Sequence, residues 1–273
     1  MKRAVAAVVL HAVLAAGAVL TLLPLLWMVS ASLMPTGEAT AVPPRLFPSA
    51  PTLEHYRALF GRVNLARALL NSAALASAVT LIALLLNSLA GYGFAKFRFA
   101  GRDRLFRFLL GALVIPAQVT MLPLFLLLHQ LGLVNTYAAV IVPGMASIFG
   151  IFLVRQHALG VPDSLLDAAR VDGAGELRIY RSVVSWLLAP VLVTLAVFTF
   201  MGTWNDFLWP LIVLADRDLY TLPVALANLA GEHVQDTELM MAGAVLTILP
   251  VLALFVFLQK YYVAGIMAGG VKE

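Results

Sequence analysis

Six stretches of this 273-residue chain carry almost no charge: about 5–33, 69–95, 105–131, 137–154, 187–203 and 239–258. A helix rises ~1.5 Å per residue, so ~20 residues cross the ~30 Å hydrocarbon core of a bilayer. Inside lipid every backbone N–H and C=O must be paired within the structure, which leaves helices as the form for runs of this length. The expected fold is therefore an all-α membrane protein, a single membrane domain over 1–273 with six transmembrane helices and no soluble module. Composition agrees. Charged residues make up 12% and hydrophobic ones 62%, where a soluble domain carries roughly 25% charged residues. One water-soluble core cannot hide so much apolar side chain.

The breaks between the runs set the expected topology. Met1-Lys2-Arg3 precedes the first run, whose thirty or so residues exceed the ~7–15 of a signal-peptide core, so it reads as a span. Pro35 to Arg67 holds prolines at 35, 43, 44, 48 and 51 and reads as an external loop, with Thr52 placed to start a helix there. Lys96 to Arg104 is short and strongly basic. Phe207–Leu214 is too short to span and is placed at the outer interface with Trp209; Asp216–Glu238 reads as a second external loop and Lys260–Glu273 as a tail. With both ends inside, thirteen of the eighteen Lys/Arg lie on one side and five on the other. The positive-inside rule makes the basic side the cytoplasm. A pI near 9.6 thus reflects membrane anchoring, since the basic residues are dispersed between apolar runs and do not form a nucleic-acid patch.

One polar interruption differs from the rest. The loop of about 156–186, between spans 4 and 5, contains Pro162-Asp163-Ser164, which supply a helix start with negative charge at its positive end. Leu165, Leu166, Ala169 and Val171 fall near one face at three- and four-residue spacing. Ala168 and Ala169 leave a thin surface that another protein can approach, and Gly173 accepts the positive φ of a sharp turn. Leu177, Tyr180, Val183 and Val184 outline a second stripe. By itself the helix–Gly–helix pattern fits an amphipathic linker lying on the membrane surface equally well.

Longer matches separate the two readings. Asp167-Ala168-Ala169-Arg170-Val171-Asp172-Gly173-Ala174 resembles the EAA loop of binding-protein-dependent ABC importer permeases. Ala90 to Lys96, Phe149 to Gln156, Trp204-Asn205-Asp206, and Gln259 to Gly265 with Gly269 to Lys272 are similar to stretches of the carbohydrate-uptake branch, in the same order. The chain most resembles the six-span, maltose-type partner of a permease pair. The resemblance implies the type I ABC importer permease fold, with the 156–186 loop as a cytoplasmic helix-turn-helix coupling loop. It implies ATPase coupling through Leu165, Leu166, Asp167, Ala168, Ala169, Arg170, Asp172, Gly173 and Ala174. Two positions depart from the pattern: Asp167 replaces the usual Glu, and Ser185-Trp186 replaces the usual Leu-Pro, which bears on the bend into span 5.

The implied solute is a sugar or short oligosaccharide handed over by an extracytoplasmic binding protein. The implied partners are a second permease, two ABC ATPase subunits and membrane lipid, in a bacterial or archaeal cytoplasmic membrane with both termini inside. ATP is consumed by the partners, because the four lysines follow Met, Ala, Gln and Val and complete no P-loop. Asn87, Gln118, Thr120, Thr194 and Thr199 are polar groups within spans and mark a translocation path; each singly is read first as an inter-helix hydrogen-bonding group. Trp204, Asn205 and Asp206 read as an outer gate or receptor contact, or equally as an interfacial Trp with a polar helix stop. The five histidines (11, 55, 129, 157, 233) form no metal-binding pair, and no catalytic constellation is present, so neither enzyme activity nor a cofactor bound by this chain is expected. No charged residue lies clearly inside a span, which disfavours a self-sufficient ion-coupled carrier. Import of a non-sugar solute such as a glycerol phosphate stays open.

Overall fold

A computed structural model describes residues 2–43, 45–62, 64–232 and 236–270; His233 and the end of the expected tail, 271–273, lie outside these. In chain order the helices are α1 (Lys2–Ala31), α2 (Glu54–Arg62), α3 (Leu65–Lys96), α4 (Arg102–Ala112), α5 (Ala117–Gln130), α6 (Ala138–Gly144) and α7 (Ile148–Leu159). There follow α8 (Asp163–Val171), α9 (Glu176–Ile179), a π-helical turn (Tyr180–Val184), α10 (Ser185–Leu187), α11 (Ala189–Trp204), α12 (Leu208–Val213), a 3₁₀ turn (Arg217–Leu219), α13 (Leu222–Glu232) and α14 (Thr237–Gly270). Among the described residues four helical stretches are long and apolar enough to cross a membrane, Val5–Ala31, Leu65–Lys96, Ala138–Leu159 and Thr237–Phe257; the count reaches six when two bent pairs are each taken as one span.

One bent pair corrects the expected span 3, while the other lies at the start of span 5, where α11 (Ala189–Trp204) falls within two residues of the expected 187–203. Residues 105–131 do not form one helix: α4 and α5 meet at 103°. Pro116 has no N–H to give and itself lies at ψ 136°, outside the helical region, so the chain breaks before α5. At the other site the helices from Glu176 to Leu187 meet α11 at 81°. Pro190, second in α11, cannot donate to the Trp186 carbonyl, so the bend persists although Ser185-Trp186 has displaced the usual proline. Span 4 is also interrupted, between α6 and α7, where Ser147 caps the new helix by accepting from Gly150 N–H at 3.0 Å. The expected external loop 216–238 contains α13, which holds Pro223 in its first turn, where a missing N–H is harmless. The expected tail from Lys260 continues α14 as far as Gly270.

The chain divides into two compact units. In the first, Met1–Ala66 with Ala225–Val251, α1 turns apolar side chains outward on every side, as a lipid-facing helix does. The following segment is held by polar ties: Glu38 accepts from Ser49 N–H and Arg45, Glu238 accepts from Ala39 N–H at 2.7 Å, and His55 Nε2 meets the Met34 carbonyl at 2.8 Å. Thr52 accepts from Glu54 N–H at 3.1 Å and sets the start of α2.

The second unit, Arg67–Val224 with Leu252–Glu273, contains the sites of interest. Helix α3 runs against α7 at a very short distance. A Cβ added at Gly91 would lie 2.7 Å from Val154 Cβ and 2.9 Å from the Arg155 backbone nitrogen. Small residues at such crossings let helices approach where no hydrophobic driving force is available. At the end remote from α8, Asn71 donates to the Asp218 and Tyr220 carbonyls and accepts from Tyr137 Oη. Asn135, at φ +60°, accepts from the Ala215 and Asp216 amides. Trp209, expected at the membrane interface, is buried among Leu75, Leu128, Val140 and Val213, and its indole N–H donates to the Ala139 carbonyl at 2.9 Å.

Candidate functional site

The 156–186 loop is a rigid hairpin seated on the ends of the long helices. Leu166, Ile179, Val184 and Leu188 insert between Tyr92 and Ala95 of α3 and Val154 and Ala158 of α7, with Val161 closing the cluster. Burying each large aliphatic side chain stabilises by ~1.5–3 kcal/mol, so this layer fixes the hairpin to the helices beneath it. The expected shared face splits here. Leu166 (1% exposed) and Ala169 turn inward, whereas Leu165, Ala168 and Val171 turn outward. Leu166 therefore seats the helix and is not a contact offered to a partner. Val171 is 88% and Leu177 73% exposed.

The polar groups stiffen the turn. Gly173 sits at φ +79°, with open space around its α-carbon, and the Ala174 amide donates back to the Ala169 carbonyl at 3.0 Å. The Arg170 guanidinium bridges the turn, 2.8 Å from Asp167 Oδ1 and 2.8 Å from Glu176 Oε1. Its hydrogen bond holds the Glu176 carboxyl below the usual carboxylate range, against the opposing effect of burial. Asp172 and Ala174 complete the turn. Pro162 stands at the N-cap and gives no side-chain cap, with Asp163 in the first turn as expected. Asp163 accepts from Lys96 Nζ at 2.7 Å, and the same ammonium donates to the Val161 carbonyl at 2.6 Å. The short aspartate in the first turn of α8 is thus tied to the last residue of α3, a connection that spacing along the sequence does not reveal.

The Lys96 hydrogen bond, followed by its charge, depresses the Asp163 pKa. A depressed carboxyl contributes stability that is present above the unfolded value of ~3.9 and is lost as pH falls through the lower folded value. Asp163→Asn should therefore lower the thermal midpoint of the detergent-solubilised protein at pH 7. The gap to wild type should close on acidification below about pH 4.

The remaining expected path residues separate. Asn87 is wholly buried and its Oδ1 accepts from Ser147 N–H at 2.9 Å, which serves the start of α7, while its Nδ2 is buried without a partner among the described residues. Thr194 donates back to the Pro190 carbonyl, and Gln118 is exposed at the start of α5. Thr199 is half-buried. Trp204 is buried at 2% exposure and stacked on Phe200; Asn205 is exposed and donates to the Met201 carbonyl. Thr120 and Asp206 do come together. With Thr203, Trp209, Pro143 and Gly144 they line an open cavity of about 320 Å³. Asp206 Oδ1 accepts from Trp209 N–H. Thr203 is a polar lining residue that sequence reasoning passed over, although it adjoins Trp204.

Similarity to known proteins places this arrangement. The family described as "Binding-protein-dependent transport system inner membrane component" matches residues 83–267. The arabinooligosaccharides transport system permease protein AraQ of Halalkalibacterium halodurans is 39% identical, over 93% of this chain and 92% of the relative. The lactose transport system permease protein LacG of Rhizobium radiobacter is 34% identical, over 100% and 98%. The sn-glycerol-3-phosphate transport system permease protein UgpE of Brucella abortus is 30% identical, over 97% and 98%. A solved structure of a bacterial ABC transporter involved in alginate import superimposes with a TM-score of 0.83 over 96% of this chain and 98% of that one at 22% identity, which bears on the fold alone. The chain belongs to the binding-protein-dependent transport system inner membrane component family, as a multi-pass permease subunit with the ABC importer permease fold.

Proposed function

We propose that this chain is the transmembrane subunit of an ATP-driven importer of a sugar or short oligosaccharide. In this reading an extracytoplasmic binding protein delivers the solute and a second permease completes the pore. Two ATPase subunits grip the α8–α9 hairpin from the cytoplasm. The observation that carries the reading is the division of labour within α8: Leu166 anchors one side in the chain's own core, while Leu165, Ala168 and Val171 lie bare on the other. A helix seated this firmly passes a push from outside into α3, α7 and α11 as a rigid-body shift. Asp167, Arg170, Asp172, Gly173 and Ala174 shape and stiffen the gripped turn. The dispersed basic residues support placing the hairpin and both termini on the cytoplasmic side.

For the solute, the sugar names carried by AraQ and LacG agree with the cavity. Two threonine hydroxyls, a carboxylate and an indole suit the hydroxyls and apolar faces of a neutral sugar. The Asp206 carboxylate would repel a phosphate, which disfavours the glycerol phosphate alternative. The test is uptake by reconstituted vesicles holding both permeases, the ATPases and the binding protein. Uptake should require ATP and all subunits. Asp206→Asn should keep uptake within a few fold, and Asp206→Leu should lower it at least tenfold, the cost of one lost hydrogen-bonding group. Uptake without the ATPases would refute the reading.

A further inference from the structure

Outside the hairpin and the cavity, one cluster of charge has no role yet. The turn after α3 and the start of α4 surround a cavity of about 620 Å³ lined by Arg98, Phe99, Gly101, Arg102, Asp103, Arg104 and Arg107. Four guanidiniums face one carboxylate. That carboxylate is already engaged, since Arg102 Nε donates to Asp103 Oδ1 at 3.0 Å. Arg102 also reaches the Phe97 carbonyl, and Arg107 Nε donates to the Asp103 carbonyl. Arg98 and Arg104 donate no hydrogen bond to the described residues. The site therefore has donors and positive charge in surplus.

Its surroundings are apolar. Phe99 and Leu105 are about half exposed and Phe108 is 75% exposed. Along α4 the charges gather in the first two turns and the remainder is apolar, in the order Arg102, Arg104, Arg107, then Phe108 to Ala112. Helix α4 meets α5 at 103°, so its basic first turns are aimed away from the axis of its neighbour. A soluble anion would use the arginines and leave the aromatic and aliphatic side chains unexplained. A lipid uses both.

We propose that this arginine-lined cavity binds the phosphate headgroup of an anionic phospholipid, whose acyl chains lie against Phe99, Leu105 and Phe108. Arg98 and Arg104 supply the free donors, Arg102 and Arg107 add charge, and Gly101, at φ +82°, turns the backbone so that both groups of arginines face one space. The site does not depend on what the chain transports.

The test uses the full-length chain purified in a neutral detergent, with any partners that copurify, titrated with fluorescent cardiolipin. Phosphatidylcholine and glycerol 1-phosphate serve as competitors. Each basic residue near a charged lipid surface contributes ~1 kcal/mol, about fivefold in affinity. Arg98→Gln with Arg104→Gln should thus weaken binding about 25-fold, and the paired Lys substitutions should hold it within about threefold. Neither competitor should displace the probe at equal concentration. Unchanged affinity in the Gln variant would overturn the proposal, as would displacement by glycerol 1-phosphate, which would mark a site for a soluble anion. A Gln variant that keeps its lipid affinity but loses copurifying ATPase would assign the surface to a protein contact instead. Should that variant fail to fold, a salt titration of the wild type decides: affinity must fall steeply with ionic strength, and salt-independent affinity contradicts the proposal.

Discussion

Replacing Val171 with glutamate should reduce ATP-driven uptake about 30-fold or more while leaving the amount of folded chain in the membrane unchanged. Val171 is 88% exposed and sits outside the cluster that anchors the hairpin, so the substitution removes nothing the chain uses to fold. In the proposed assembly it places a charge in an apolar contact, and the central residues of such contacts cost 2 kcal/mol or more when altered. Leu166→Ala should show the opposite pattern. It opens a void beneath α8, costs ~2–5 kcal/mol and lowers the yield of folded protein. Quantitative immunoblotting of membranes beside transport assays separates the two outcomes, and equal loss of folded protein in both variants would argue that the outer face of α8 packs within the chain.

Gly91→Leu should prevent folding altogether. Even the first carbon of a new side chain would fall 2.7 Å from Val154 Cβ and 2.9 Å from the Arg155 backbone nitrogen, and backbone cannot step aside as a side-chain tip can. Overpacking a tight contact by a methyl or two costs ~1–3 kcal/mol, and leucine adds four carbons. The same change at Gly111, where no atom lies within 4 Å, should be tolerated. Membrane abundance and thermal midpoint after solubilisation provide the comparison; a Gly91→Leu protein as stable as wild type would mean that α3 and α7 are not in contact.

The sequence made some of this legible and hid the rest for identifiable reasons. Four of the six runs hold helices long and apolar enough to cross a membrane, legible because lipid demands long uncharged helices. The turn at Gly173 was readable because few other residues tolerate φ +79°. The breaks within spans 3 and 4 were not. The first turns on Pro116, and a proline within an apolar run does not by itself tell a kink from a 103° corner. The second depends on Ser147 and Asn87, sixty positions apart, meeting at 2.9 Å. Asn87 illustrates the wider difficulty: a polar residue in a span serves either the solute or another helix, and only the neighbour across the bundle decides which. The same applies to α8, where one residue of register separates the buried Leu166 from the exposed Leu165. Thr120 and Asp206 were named for separate roles, and the fold brings them to one cavity.

The chain contains no cysteine, so a single Ala168→Cys substitution introduces one unique thiol on the bare side of α8. Labelling with a membrane-impermeant maleimide, in right-side-out and inverted vesicles with and without the ATPase subunits, tests the proposed grip most directly. Reaction only from the cytoplasmic side, blocked when the ATPases are bound, is the predicted result. Labelling from the outer side, or an unchanged rate with the ATPases in place, would contradict it.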